Sequence, residues 1–131
     1  MIEGTVLQGR EGIIRLRLHG PNQTTNEVDA VVDSGFTSFL ALRPETIAAL
    51  GLPHKNVESF ILGDGSVVDL ATYWVELDWD GAVRKVPVQS VNDTPLVGME
   101  MMRDYHLSME IWHGGHLRLT PRGKGEEVSG G

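Results

Sequence analysis

The chain has 131 residues, 40% of them hydrophobic, 22% charged and 6% aromatic, the composition of an ordinary soluble globular protein and too short for two large domains. It contains no cysteine, which excludes a disulfide scaffold and thiolate metal sites and fits a reducing cytoplasm. Eleven Lys and Arg stand against eighteen Asp and Glu, a net charge of -7 with no basic stripe to follow a phosphate backbone, so nucleic acid is not an expected partner.

Residues 1–18 alternate apolar with charged positions, and Glu3, Arg10, Glu11, Arg15 and Arg17 break any signal-peptide core. No apolar run approaches the roughly 18 residues needed to cross a membrane. Sixteen glycines and six prolines fall between short apolar runs, the punctuation of an antiparallel β protein. Thr5, Leu7 and Gly9 precede a turn expected at Glu11-Gly12. Beyond it Ile14, Leu16 and Leu18 alternate with Ile13, Arg15 and Arg17, an opening hairpin with one buried face. The denser run Val28-Asp29-Ala30-Val31-Val32 reads as a strand buried on both faces that leads into Asp33-Ser34-Gly35. Pro44 at a first helical position, Glu45 in the first turn, Ile47 and Leu50 on one face and Gly51 as a stop predict a helix of barely two turns.

Phe60-Ile61-Leu62, Gly63-Asp64-Gly65-Ser66 and Val67-Val68 read as strand, glycine-rich turn and strand, a hairpin with a mobile tip. A third hairpin joins residues 73–79 to 83–88 through Asp80-Gly81, with Val75, Leu77 and Trp79 on one side. Thr94-Pro95-Leu96-Val97-Gly98 leads into a short amphipathic stretch, 99–105. Two last strands, 107–112 and 116–120, then join through His113-Gly114-Gly115. The polar, Gly/Glu-rich tail, 122–131, is expected to be disordered, which leaves one domain over 1–121.

The chemistry concentrates at Asp33-Ser34-Gly35. An ionised carboxylate at the end of the most hydrophobic strand is expensive to bury alone, so the site calls for hydrogen bonds, a counter-charge or a second carboxyl sharing a proton. Ser34 and the Gly35 amide are local donors, and Gly35 permits close approach. Other candidates read as structural. His113 and His116 have an offset that suits neither one helix face nor one strand face, so no metal is expected, and His19, His54 and His106 read as exposed or loop residues. Met99, Met101 and Met102 read as core or subunit-interface packing. Trp74, Trp79 and Trp112 read as packing residues too, with Trp74 close enough to the 63–66 turn to line a substrate groove.

Three segments, in order, carry a family resemblance. Val31-Val32-Asp33-Ser34-Gly35-Phe36-Thr37-Ser38 matches the hydrophobic-hydrophobic-Asp-(Thr/Ser)-Gly signature of the retropepsin-like aspartic proteases. Leu62-Gly63-Asp64-Gly65-Ser66 looks like their flap hairpin, and Pro95-Leu96-Val97-Gly98-Met99-Glu100-Met101-Met102 is similar to their later hydrophobic-hydrophobic-Gly segment and the short helix after it. The chain departs from the viral pattern at Phe36, where a small residue is usual, and after Gly98, where an Arg-Asp/Asn pair is absent; its helix at Pro44 to Leu50 with the Gly-Asp-Gly-Ser turn looks more like the bacterial branch than the viral one. The resemblance covers residues 1–121. It implies an all-β closed barrel with a flap hairpin and one or two short helices, acting as a homodimeric aspartic endopeptidase on peptide or protein substrates without a cofactor. It assigns catalysis to Asp33, an axis-bracing role to Ser34 and close substrate approach to Gly35. Gly63, Asp64, Gly65 and Ser66 fall to the flap, and Thr37, Leu96, Val97 and Gly98 to support of the site.

Such chemistry uses two carboxyls sharing one proton, and the chain has one Asp-Ser-Gly, so the second Asp33 must come from another copy across a two-fold axis. A dyad of this kind titrates in two coupled steps and gives a bell-shaped pH profile. A reading from a different class is a non-catalytic dimeric peptide-binding or assembly module on the same fold, which would survive Asp33→Asn. A third is an unrelated small all-β ligand-binding domain, which needs no dimer.

Overall fold

A computed structural model describes residues 1–123; of the expected tail, 124–131 lie outside the described residues. The strands are β1 (Ile2–Leu7), β2 (Glu11–His19), β3 (Thr25–Val32), β4 (Leu40–Leu42), β5 (His54–Ile61), β6 (Val67–Trp79), β7 (Ala82–Ser90), β8 (Leu96–Val97), β9 (Tyr105–Met109) and β10 (His116–Pro121). Between β4 and β5 lies the helix α1 (Pro44–Leu50), and a 3-10 turn spans Pro21–Gln23. Among the described residues, no helix is long and apolar enough to cross a membrane.

All strands join one ten-stranded sheet in the order β5-β6-β7-β4-β8-β3-β2-β1-β10-β9. An additional β2–β6 pairing, Leu18 opposite Leu77 and His19 opposite Glu76, closes the run β2-β3-β8-β4-β7-β6 into a barrel. Leu18 and Leu77 are fully buried at that seam, so apolar packing and ladder bonds act at the same place. The barrel interior collects Leu16, Leu40, Leu42, Val75, Val88 and Met101, each worth about 1.5–3 kcal/mol on burial.

Strand β6 shows how period-two patterning builds this shape. Its early residues pair with β5 and its later ones with β7, so two hairpins expected separately share one 13-residue strand. Val75, Leu77 and Trp79 alternate inward while Glu76 and Asp78 stay in water. Helix α1 has the expected bounds because its signals are local: Ile47 and Leu50 are buried, and Gly51 ends the helix in the left-handed region at φ 67°.

Four local expectations need correction. The opening turn is not at Glu11-Gly12 but at residues 8–10, where Gln8 and Gly9 take positive φ and the Arg10 amide donates to the Leu7 carbonyl. Gly12 is a strand residue instead, and a Cβ there would crowd Leu117 and Met109. Strand β3 is not buried on both faces: Asp29 lies opposite Arg15 on the outer side, where Arg15 pairs with Asp29 at 3.3 Å and with Glu27 at 3.2 Å. The stretch after Gly98 makes a single turn of α type, the Met102 amide donating to the Gly98 carbonyl at 3.3 Å, and Asp104 at φ 66° stops it, so no second α-helix forms. Strand β9 starts at Tyr105 and ends at Met109, which leaves Trp112 in a loop, 60% exposed rather than packed.

Candidate active site

The loop carrying Asp33-Ser34-Gly35 leaves the barrel where β3 ends. Parallel pairing with β8 puts Val31 beside Leu96 and Val32 beside Val97, and the Asp33 amide donates to the Val97 carbonyl at 2.9 Å. Three further bonds join the two segments: Gly98 amide to Phe39 carbonyl at 2.8 Å, Met99 amide to Phe36 carbonyl at 2.8 Å and Glu100 amide to Ser38 carbonyl at 3.1 Å. Residues 97–100 thus clamp residues 33–39 along their length. Gly98 is required by contact, because a Cβ there would overlap the Ser38 carbonyl oxygen and lie 2.7 Å from the ring and the carbonyl of Phe36.

Within the loop the carboxylate is held by its own backbone. Asp33 Oδ1 accepts the Gly35 amide at 2.8 Å, and the Asp33 carbonyl accepts the Phe36 amide at 3.2 Å, an Asx-type turn that fixes the side chain. The expected apolar burial is only partial. Asp33 is half-buried, while Ser34, Gly35 and Thr37 are exposed, because the loop projects beyond the sheet. Among the described residues the Ser34 hydroxyl has no hydrogen-bond partner.

The β5–β6 hairpin presents the second group of candidates. The Leu62 amide donates to Ser66 carbonyl at 2.8 Å, the Gly65 amide to Leu62 carbonyl at 2.9 Å, and Gly65 takes φ 85°. Asp64 accepts both the hydroxyl of Ser66 at 2.6 Å and its amide at 2.9 Å. These two bonds hold the Asp64 carboxyl below its usual range, the hydroxyl contributing most. Gly63, Asp64, Gly65 and Ser66 are all exposed, as are the flanking Ile61 (80%), Leu62 and Val67.

Phe36 and Phe60 connect hairpin and loop, their ring centroids 6.4 Å apart. Sequence reasoning singled out Phe36 only as a departure from a pattern and missed Phe60, Ser38, Phe39 and Glu100. For the last three no signal exists, since they act through backbone groups. Trp74 does not join this site. It lines a shallow cleft with His19, Pro21, Leu52, Pro53 and Lys85, and the Lys55 and Lys85 ammonium groups lie 5.4 and 5.3 Å from its ring. His113 Nδ1 accepts the Gln8 amide at 3.0 Å, and the His116 amide donates to Glu110. Trp79 is a core residue edge-on to Tyr105, Met101 and Met102 are buried, and Met99 is half in water beside the Asp33 loop.

No protein-family model and no curated protein matches the sequence. Among solved structures, the crystal structure of a retropepsin-like aspartic protease from Rickettsia conorii matches 91% of this chain and 89% of its own, with a TM-score of 0.55 at 16% sequence identity. The architecture is therefore the retropepsin-like fold, all-β with one α-helix among the described residues.

Proposed function

We propose that the protein is an aspartic endopeptidase whose active site forms between two copies of the chain, each supplying Asp33. The observation that carries this reading is the Asp33-Ser34-Gly35 loop at the end of β3, clamped by residues 97–100 on a retropepsin-like fold. A site that needs two carboxyls and a chain with one Asp-Ser-Gly are reconciled by an isologous dimer, which places identical loops face to face. Exposure of Ser34 and Gly35 and the free Ser34 hydroxyl fit a loop that meets its counterpart across an axis.

In that dimer one Asp33 carboxylate takes a proton from water as the water oxygen attacks the scissile carbonyl carbon. The protonated Asp33 of the other copy gives its proton to the carbonyl oxygen. Collapse of the tetrahedral intermediate breaks the C–N bond, and a carboxyl returns a proton to the leaving nitrogen. The β5–β6 hairpin serves as a flap: its exposed apolar flanks and ladder-free tip offer side-chain contact and backbone pairing to an extended peptide. The test is cleavage of an unbiased peptide mixture, read by mass spectrometry between about pH 3.5 and 7.5, with wild type and Asp33→Asn. Cleavage that vanishes in the variant supports the proposal. A stable dimer that never cleaves supports the binding-only module, and equal cleavage by both proteins removes Asp33 from the mechanism.

A further inference from the structure

A polar side chain buried with a hydrogen-bonding atom unmatched is costly, so its presence in a core asks for an explanation. Thr72 and Gln89 are the buried polar side chains among the described residues, and both are fully enclosed. The Gln89 carboxamide donates from Nε2 to Glu58 Oε2 and to Thr72 Oγ1, each at 3.3 Å, while its Oε1 has no partner among the described residues. A leucine would fill this place with no unpaired carbonyl. What the amide supplies instead is a directional link to a side chain on another strand.

That strand, β5, is half of the β5–β6 hairpin. Strand β6 pairs with β7 only from Thr72 onward, so residues 67–71 have β5 alone as a neighbour, and β5 is an edge of the sheet. Residues 56–71 thus form a two-stranded arm, a unit of little stability by itself, which leaves the barrel at Thr72. At the same level the β5 register shifts between His54 and Asn56, a bulge with Lys55 as the extra residue. The arm therefore joins the barrel where its own ladder is irregular.

This joint is in register with the candidate catalytic loop. Thr72, Gln89, Ala41, Leu96 and Val31 form one paired row across β6, β7, β4, β8 and β3, and Asp33 follows two residues after Val31. Glu58 and Phe60 alternate on β5 and share a face. Phe60 meets Phe36 of the Asp33 loop and Glu58 meets Gln89, so the arm is held against the barrel at two points, one aromatic and one polar. Lys55 completes the polar point, its ammonium 3.1 Å from Glu58 Oε1 and 5.4 Å from the Trp74 ring. Both oxygens of Glu58 are then engaged, one by the bulge and one by β7.

We infer that Gln89 is a positioning residue whose buried amide, through Glu58, sets how closely the β5–β6 hairpin lies over Asp33. Its consequence for substrate rests on the aspartic-protease reading; the latch between Gln89 and Glu58 does not. Without the latch the arm still forms but spends less time docked. A binding site completed only by the docked arm loses apparent affinity in proportion, while the chemical step, taken with the arm docked, keeps its rate.

Hydrogen–deuterium exchange read by mass spectrometry, together with peptide-cleavage kinetics, tests this on wild type, Gln89→Leu, Glu58→Ala and Glu58→Gln. Gln89→Leu and Glu58→Ala should speed amide exchange over residues 56–71 about tenfold and leave β1, β2 and β10 at wild-type rates. Glu58→Gln keeps an acceptor for the Gln89 amide and should retain most of the wild-type protection. In cleavage, the two latch-breaking variants should raise KM about tenfold with kcat changed less than about threefold. Wild-type exchange rates over 56–71 in those two variants overturn the inference. So does faster exchange spread evenly over all strands, which would make Gln89 a core residue only, and so does a fall in kcat at constant KM. Glu58 is partly exposed on the arm, so Glu58→Ala decides the matter if Gln89→Leu does not fold. A wild-type protein that cleaves nothing defeats the peptidase reading and leaves the exchange comparison to decide the latch.

Discussion

Replacing Gly98 by alanine probes the contact that positions the candidate catalytic loop. The new methyl cannot enter rigidly, because it would overlap the Ser38 carbonyl oxygen and approach the Phe36 carbonyl to 2.7 Å. Restoring normal van der Waals contact requires the two segments to part by roughly 1 Å. The bonds from Met99 to Phe36 at 2.8 Å and from Glu100 to Ser38 at 3.1 Å end on those same carbonyls, and such a shift takes both beyond bonding distance. Overpacking strain of about 1–3 kcal/mol and two lost hydrogen bonds of about 1 kcal/mol each give about 3–5 kcal/mol. For a domain of this size that is a fall in Tm of roughly 10–20 °C. Calorimetry of Gly98→Ala checks this, with Gly63→Ala as control, since a Cβ at 63 meets nothing within 4 Å and should cost less than about 0.5 kcal/mol. Under the proposed function, peptidase activity should also fall about a hundredfold even in the folded fraction, because Asp33 hangs on the displaced segment. A Gly98→Ala protein that melts within about 2 °C of wild type refutes the clamp.

Phe36 and Phe60 should be energetically coupled: a double-mutant cycle with alanine is expected to give about 0.5–1.5 kcal/mol, and either single variant should speed amide exchange over residues 57–70. Strict additivity with unchanged exchange would mean that the aromatic pair does not hold the hairpin. At the hairpin tip, Asp64 is lowered from 3.8 by the bonds from Ser66, so its contribution to tip order is complete above about pH 3.8 and is lost as pH falls through the lower folded-state value. The amide NMR shift of Ser66 should follow a titration with a midpoint below 3.8 that disappears in Asp64→Asn; a midpoint at or above 3.8, or an identical step in both proteins, contradicts the turn geometry.

Features written within a few residues were legible in the sequence, and those set by distant contacts were not. Pro44, Glu45 and Gly51 define α1 because a helix start and stop are local, and the Asp33-Ser34-Gly35 turn closes on its own amides. The Gly63–Ser66 turn was legible for the same reason. Glycine carried two meanings at the opening hairpin: Gly9 makes the turn, whereas Gly12 stays in the strand to admit Leu117 and Met109. Strand β10 pairs with β1 from more than a hundred residues away, and no pattern near Gly12 announces that neighbour. The same holds for the β2–β6 seam that closes the barrel and for the backbone bonds of Ser38, Phe39 and Glu100 that brace the site. Trp112 was read as packing because its residue type favours burial; its exposure depends on which strand β9 and β10 leave at the edge.

A mixing experiment tests the proposed shared site most directly. Inactive Asp33→Asn chains are equilibrated with a fixed amount of wild type, and cleavage of a peptide found with the wild-type protein is followed. If both Asp33 carboxyls of a dimer are needed, random exchange at equal amounts leaves about half of the wild-type chains paired with one another, and activity falls to about half. Activity that stays constant as Asp33→Asn is added, with exchange verified by mass, would contradict a catalytic site built from two copies.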